Sequence, residues 1–156
     1  GPSLVKCQFS SGDVIKKIML GKFPALPLVH MPMVDVRDVA NSHLEAILRP
    51  EGAGNRFILA GCTAYMNNIG EILKEKYSDS YPKITTNIAP YCIMKILGCF
   101  NSEIRSVLKY WGRQINCNNK KTEAVLGIKF IPLKDTLYEM TESLISIGYI
   151  TDQRKK

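Results

Sequence analysis

Amphipathic segments with apolar residues at helical spacing dominate this chain, and they alternate with extended apolar runs that are short and few. The predicted helices cover residues 13–20, 36–48, 64–77, 91–111, 119–126 and 132–147. The predicted extended runs cover residues 28–34, 55–60, 84–89 and 129–131. A parallel sheet of its own needs several buried strands rich in Val and Ile, which these runs do not supply. The pattern therefore predicts an α/β fold, in one region of 156 residues, whose helices need another part of a protein to pack against.

The stretch from Met33 to Leu48 contains the clearest junction between an extended run and a helix. Asp35 stands where an N-cap is favoured, and Asp38 lies in the first turn, where the helix dipole favours acidic side chains. The predicted apolar face consists of Val36, Val39, Ala40, Leu44, Ile47 and Leu48. Both aspartates are expected to cap and brace the helix. A role for Asp35 as a catalytic acid is the alternative.

The ends of three other helices are marked by residues that start or stop helices. Ser10 or Ser11 is predicted to cap the first helix. Gly98 and Asn101 are candidate breaks in segment 91–111, which is either one long helix or a broken pair. Pro132 is predicted at the first position of the last helix, where its missing N–H costs nothing.

Charge and composition exclude several classes of protein. The chain has 21 basic and 14 acidic residues, but the lysines are scattered and no basic stripe with interleaved aromatics appears, so no nucleic acid partner is predicted. No apolar run reaches the roughly 20 residues that span a bilayer. Five cysteines without a C-x-x-C pair indicate reduced thiols and a cytoplasmic location. With two histidines in the chain, no metal site is predicted.

The sequence contains no short motif that marks a Gly-rich nucleotide loop or a nucleophile elbow. There is no G-x-x-G-x-x-G, no G-x-x-x-x-G-K-[ST] and no G-x-S-x-G. His43 flanks the apolar stripe of its helix and is expected to be a structural residue. No catalytic residue is therefore predicted in this chain.

Four sequence blocks, taken in their order and spacing, resemble a known family. They are GPSL at residues 1–4, MVDVRDVANSH at 33–43, NRFI at 55–58 and LGIKFIPLKDTL at 126–137. The chain resembles the C-terminal part of the extended short-chain dehydrogenase/reductases, within the epimerase/dehydratase superfamily. It is most similar to the branch of dihydroflavonol reductase and cinnamoyl-CoA reductase. The resemblance implies the C-terminal portion of a Rossmann-type fold, a helix-rich substrate lobe with short strands, and native sequence at Gly1-Pro2.

The resemblance also implies a function and a missing part. It implies a reductase that uses NADP, or NAD, to reduce a small apolar ketone or aldehyde. In this family the dinucleotide loop and the catalytic Tyr-x-x-x-Lys lie upstream of the Gly-Pro run. The nucleotide-binding N-terminal part is thus expected to be absent from residues 1–156, and the chain is expected to be inactive by itself.

Several residues of this chain match ligand contacts of the family. Ser11, with Ser10 as its neighbour, matches by spacing a serine that contacts the cofactor phosphates, and Pro2 begins the loop that closes over the cofactor. A helix N-terminus suits such an anion, although a plain cap is the alternative. The substrate-binding candidates are Leu4, Phe9 and Met94, for which ordinary core positions are the alternative.

Two other functions compete with this expectation. One is a nucleotide-sugar epimerase or dehydratase of the same superfamily, and the other is an interaction lobe without chemistry. If an upstream sheet is missing, the apolar faces of the helices that contain Val14 and Leu44 lose their partner. Each large side chain left exposed forfeits about 1.5–3 kcal/mol. The chain alone is then expected to be marginally stable, adhesive or homodimeric, and unable to turn over NADPH.

Overall fold

The computed structural model describes residues 1–6 and 10–154, and helices dominate it. The elements are α1 Ser10–Met19, β1 His30–Met33, α2 Val36–Leu48, β2 Cys62–Tyr65, α3 Met66–Tyr77, α4 Tyr91–Phe100, α5 Ser102–Leu108, α6 Lys120–Leu126 and α7 Leu133–Ser146. A 3-10 turn, Pro50–Gly52, follows α2. The predicted helix-rich α/β architecture with short strands is confirmed.

The hydrophobic core lies between α1, α3 and α7. Each helix contributes apolar residues at helical spacing, and the loop after α3 adds Tyr81 and Ile84. The helix contributions are Ile15, Ile18 and Met19 of α1; Met66, Ile69, Leu73 and Tyr77 of α3; and Leu137, Met140, Leu144 and Ile145 of α7. The expectation that the helix containing Val14 lacks a partner is therefore wrong, because α3 and α7 of the same chain cover α1.

The sheet consists of β1 and β2, which pair antiparallel with His30 opposite Tyr65 and Met33 opposite Cys62. The strand predicted at 55–60 is wrong, because these residues form an irregular segment and the strand begins at Cys62. Segment 55–60 contacts α6 and the residue before it instead. Thr122 Oγ1 donates to the carbonyl of Ile58 at 2.7 Å, and Asn119 Nδ2 donates to that of Ala60 at 2.9 Å.

Of the other predicted extended runs, 28–34 contains β1, whereas 84–89 and 129–131 do not form regular strands. Segment 84–89 makes a single parallel bridge, between Leu26 and Ile88. Segment 129–131 has no regular secondary structure. A strand needs a neighbour along its length for its backbone hydrogen bonds, and in segment 84–89 the described bonds to a neighbouring segment all go to Leu26.

The helix ends agree with most of the sequence predictions. Segment 91–111 is a broken pair, because Asn101 accepts hydrogen bonds from the backbone N–H groups of Glu103 and Ile104 and so caps α5. Pro132 is the N-cap of α7, one position before the predicted one. The predicted cap of α1 is wrong, since the helix already includes Ser10 and Ser11.

Helix α2 is oriented with polar residues inward and apolar residues outward. Its buried residues are Asp38 and Ser42. Leu44, Ile47 and Leu48 are exposed, and Ile47 retains 82% of its accessible surface. The predicted apolar face therefore exists but has no partner among the described residues, as expected for the helix that contains Leu44.

Candidate functional site

Asp35 forms a buried anchor at the junction of β1 and α2. Its carboxylate accepts hydrogen bonds from the backbone N–H of Arg37 at 3.0 Å and from the Arg37 guanidinium at 2.9 Å. Thr136 Oγ1 on α7 donates to the second carboxylate oxygen at 2.9 Å. The hydrogen bond from the Arg37 side chain, which outweighs the opposing effect of burial, holds the pKa of Asp35 well below its usual range. Asp35 is therefore an ionised structural cap that joins α2 to α7, as predicted, and is not placed to donate a proton.

Asp38 braces the same helix from the next turn. Its Oδ2 accepts a hydrogen bond from the backbone N–H of Ile131 at 2.9 Å. Ser42 Oγ donates to the carbonyl of Asp38 at 2.7 Å, which satisfies a buried hydroxyl. Two aspartates three residues apart thus tie α2 to segment 128–137, and the predicted bracing role of Asp38 is confirmed.

The N-terminal segment lies against this anchor. A Cβ atom on Gly1 would come within 2.4 Å of Asp35 Oδ1, so the close approach requires glycine. The backbone N–H of Ser3 donates to Ser143 Oγ of α7 at 2.8 Å. Pro2, a predicted cofactor contact, is therefore held beside the β1–α2 junction.

The other predicted ligand contacts lie in or near the first helix and on α4. Ser11 is exposed at the second position of α1. Ser10 begins α1, but its side chain lies outside the described residues, as does Phe9. Leu4 retains 92% of its accessible surface, while Met94 is half-buried on α4. These positions leave the predicted ligand roles as predictions.

The structure contains an open cleft that sequence reasoning missed. The cleft has a volume of about 360 Å³ and is lined by Tyr91, Leu108, Lys109, Trp111 and Arg113. The rings of Tyr91 and Trp111 meet edge to face, with centroids 5.6 Å apart. The sequence pattern predicted one long helix or a broken pair over residues 91–111. In the structure α5 ends at Leu108, and the turn that follows brings the ring of Trp111 against that of Tyr91. The sequence feature that could have indicated this cleft is the only tryptophan of the chain, Trp111, which stands two residues from Lys109 and two from Arg113.

A second polar cluster lies around Glu142, where the C-terminal end of α3 meets the C-terminal half of α7. Tyr77 Oη donates to Glu142 at 2.8 Å, and Arg154 donates to the other carboxylate oxygen at 2.7 Å. Burial, followed by the hydrogen bond to Glu142, raises the pKa of Tyr77 well above its usual range. Lys76 lies 3.3 Å from the same carboxylate. The charges of this cluster compensate one another, so we assign it a structural role.

Neither a metal-binding cluster nor a membrane-spanning helix is present in the described residues, 1–6 and 10–154. They contain no group of three or more His, Cys, Asp or Glu side chains that would hold a metal ion. None of the helices in this part of the chain is both long and apolar enough to cross a membrane.

Known proteins with similar sequences are oxidoreductases. No protein-family model matches the chain. The NADPH-dependent methylglyoxal reductase Gre2 of Saccharomyces cerevisiae is 27% identical over 138 residues, which are 87% of this chain and 36% of that protein. A ketoreductase of Aspergillus niger is 29% identical over 116 residues, which are 72% of this chain and 34% of that protein. The chain thus spans about a third of the length of the curated relatives it matches.

Solved structures show the same fold. The crystal structure of Gre2 from Candida albicans superposes with a TM-score of 0.69 and 21% identity over 95% of this chain and 42% of that one. The yeast Gre2 complexed with NADPH gives a TM-score of 0.63 and 24% identity over 96% of this chain and 41% of that one. The chain is thus similar to NADPH-dependent reductases, in agreement with the resemblance to the extended short-chain dehydrogenase/reductases. Its helix-rich fold matches the C-terminal portion of these Rossmann-fold reductases, as the resemblance implied.

Proposed function

We propose that this chain is the substrate-binding portion of an NADPH-dependent carbonyl reductase that acts on a small apolar ketone or aldehyde. The observation that carries the proposal is the match of 87% of the chain to an NADPH-dependent methylglyoxal reductase. In this proposal a nucleotide-binding portion outside these 156 residues supplies the dinucleotide loop and the catalytic Tyr-x-x-x-Lys.

The outer surface of α2 supports the proposal of a second portion. Leu44, Ile47 and Leu48 point their apolar side chains away from the body, and Ile58 of the irregular segment is also exposed. Residues 56–60 make no backbone-to-backbone hydrogen bond to another described segment, although the carbonyls of Ile58 and Ala60 accept from side chains. A neighbouring sheet would cover the apolar side chains and pair the remaining backbone groups, and each covered aliphatic side chain would contribute about 1.5–3 kcal/mol.

For the cofactor, the residues present fit one end of NADPH. Ser11 is exposed in the first turn of α1, where backbone N–H groups favour a phosphate. Pro2 follows Gly1, whose close approach to Asp35 positions this end of the chain. The chain holds no Gly-rich loop for the pyrophosphate. NADPH supplies the hydride when bound. Ser11, with Ser10, would hold and orient a phosphate, and Leu4, Phe9 and Met94 would exclude water from an apolar substrate.

The proposal is tested by determining the sequence of the native transcript upstream of these 156 residues. NADPH binding to the protein that this transcript encodes is then measured. We expect an upstream G-x-x-G-x-x-G strand–helix unit and enhancement of NADPH fluorescence by the longer protein. The 156-residue chain serves as the matched comparison and is expected to give no enhancement. A transcript without such a unit, or NADPH binding by the shorter chain alone, would contradict the proposal.

An interaction lobe without chemistry is the second candidate, and the surface of α4 favours it. Ile93, Ile96 and Leu97 are exposed there, and Phe100 retains 87% of its accessible surface. If the transcript encodes no nucleotide-binding unit, this candidate replaces the reductase.

A further inference from the structure

The cleft lined by Tyr91, Leu108, Lys109, Trp111 and Arg113, here called the Trp111 cleft, has the dimensions of a small-ligand site. Its volume of about 360 Å³ lies within the range of roughly 300–1,000 Å³ that is typical of ligand pockets. None of these residues belongs to the proposed cofactor contacts in α1 and the N-terminal segment. The cleft therefore needs its own explanation.

Two of the residues that line the cleft are aromatic. Tyr91 is the first residue of α4, and its ring meets that of Trp111 at an angle of 61°. Trp111 is half-buried, and Leu108 adds an aliphatic side chain. Flat rings and an aliphatic contact favour a planar organic group, because stacking on aromatic faces contributes beyond simple burial.

The lining of the cleft also includes two basic side chains without an acidic partner among the described residues. Lys109 and Arg113 line it, and neither forms an ion pair with a carboxylate in the part of the chain that the structure describes. By contrast, Arg37, Arg49 and Arg154 each pair with an acidic residue. The sequence from residue 83 to residue 121 contains seven basic residues and one acidic residue, so the surroundings increase the positive potential.

The turn that bears the two cations is fixed to the body of the fold. The backbone N–H of Gly112 donates to the carbonyl of Leu28 at 2.8 Å, and Trp111 forms a β-bridge with Val29. Gly112 has φ +65°, which favours glycine at this turn. Further along, the N–H of Ile115 donates to Nδ1 of His30 at 3.1 Å. A site on a fixed turn loses little conformational entropy when a ligand binds.

We propose that the Trp111 cleft binds a planar organic carboxylate. Arg113 and Lys109 hold the carboxylate, for which the guanidinium fork is well suited, and the flat body of the ligand stacks on the face of one aromatic ring and meets the edge of the other. This site does not depend on the proposed reductase activity, because every residue that carries it belongs to the described chain.

Trp111 makes the proposal directly measurable, since it is the only tryptophan and its fluorescence reports on the cleft. The probes are benzoate and its neutral analogue benzyl alcohol, titrated into the 156-residue chain. We expect a saturable change with benzoate, about tenfold weaker binding of benzyl alcohol, and weaker benzoate binding at high salt. Absence of saturation by roughly 10 mM benzoate, or equal binding of both probes, would overturn the proposal.

Variants at the cleft distinguish binding at this site from non-specific attraction of benzoate by the positive charge of the chain. Arg113→Gln and Lys109→Gln are each expected to weaken benzoate binding about tenfold, and Arg113→Lys by less. Lys95→Gln is the matched control, because Lys95 is exposed on α4 and does not line the cleft. Circular dichroism checks that each variant is folded. An equal loss in the Lys95 variant would show non-specific attraction and refute the assigned site.

Discussion

Asp35 is the residue that fixes the orientation of α2. Its carboxylate is buried and receives hydrogen bonds from Arg37 and from Thr136, which lies 101 residues away in the sequence. We predict that Asp35→Asn lowers the free energy of unfolding by about 2 kcal/mol or more, because charge-assisted hydrogen bonds are lost in a buried place. Urea unfolding followed by circular dichroism measures this. Asp79→Asn, at an exposed aspartate, is the control and should change stability by less than about 0.5 kcal/mol.

The same residue predicts a pH dependence with a definite sign. The pKa of Asp35 is lower in the folded chain than in the unfolded chain, chiefly because of the hydrogen bond from Arg37. Its stabilising contribution is therefore complete above the unfolded pKa of about 3.9 and is lost as the pH falls below that value. The stability difference between the wild type and Asp35→Asn should be constant from neutral pH to about pH 5 and should shrink below about pH 4. A difference that grows on acidification would contradict this role.

Ser11 is the residue through which the proposed cofactor contact can be tested. Its hydroxyl is exposed in the first turn of α1, so its removal should not affect packing. In the longer protein we predict that Ser11→Ala raises the Kd for NADPH about three- to tenfold, which is the effect of one lost hydrogen bond to a charged group. Ser102→Ala is the matched control, because Ser102 is also exposed and begins another helix, α5. Equal effects of the two substitutions would remove Ser11 from the cofactor site.

At the scale of elements, α2 has its apolar face outside and its polar face inside. Ile47 is therefore predicted to be a sensor of the proposed second portion. In the 156-residue chain, Ile47→Ser should change the free energy of unfolding by less than about 0.5 kcal/mol, since the side chain is already exposed. In the longer protein the same change should cost about 1.5–3 kcal/mol, because the side chain would be covered there.

Leu144→Ala is the matched control for Ile47, because Leu144 is fully buried in α7. It should cost about 2–5 kcal/mol in either form of the protein. If Ile47→Ser has the same small effect in both forms, no second portion covers α2.

Local signals in the sequence predicted the elements that depend on neighbouring residues. Asn101 was a candidate break, and its side chain caps α5 in the structure. Asp35 was predicted to cap α2, and it does, but its link to Thr136 connects distant parts of the sequence and has no local signal. Segment 55–60 has the composition of a strand, yet a strand requires a partner, and none is present among the described residues. The Trp111 cleft was missed for the same reason, because it depends on contacts of a turn with Leu28 and Val29, which lie distant in the sequence.

At the scale of the whole molecule, two surfaces each carry several exposed apolar side chains, and soluble monomers rarely expose large apolar patches. One is the outer face of α2 and the other is α4. We predict that the 156-residue chain by itself self-associates, and that sedimentation velocity shows dimers or larger species at micromolar concentration. The double substitution Ile47→Ser with Phe100→Ser should shift the distribution towards monomer. A strictly monomeric wild type would contradict the prediction.

Turnover of NADPH by the longer protein tests the proposed function most directly. Methylglyoxal and isovaleraldehyde are suitable probes, since the yeast relative is described as a reductase of both. The assay follows NADPH oxidation at 340 nm for the longer protein and for the 156-residue chain in parallel. We predict aldehyde-dependent oxidation by the longer protein and none by the chain alone. A longer protein that binds NADPH but reduces no carbonyl compound, or a 156-residue chain that is active by itself, would contradict the assignment of this chain as the substrate-binding portion of a reductase.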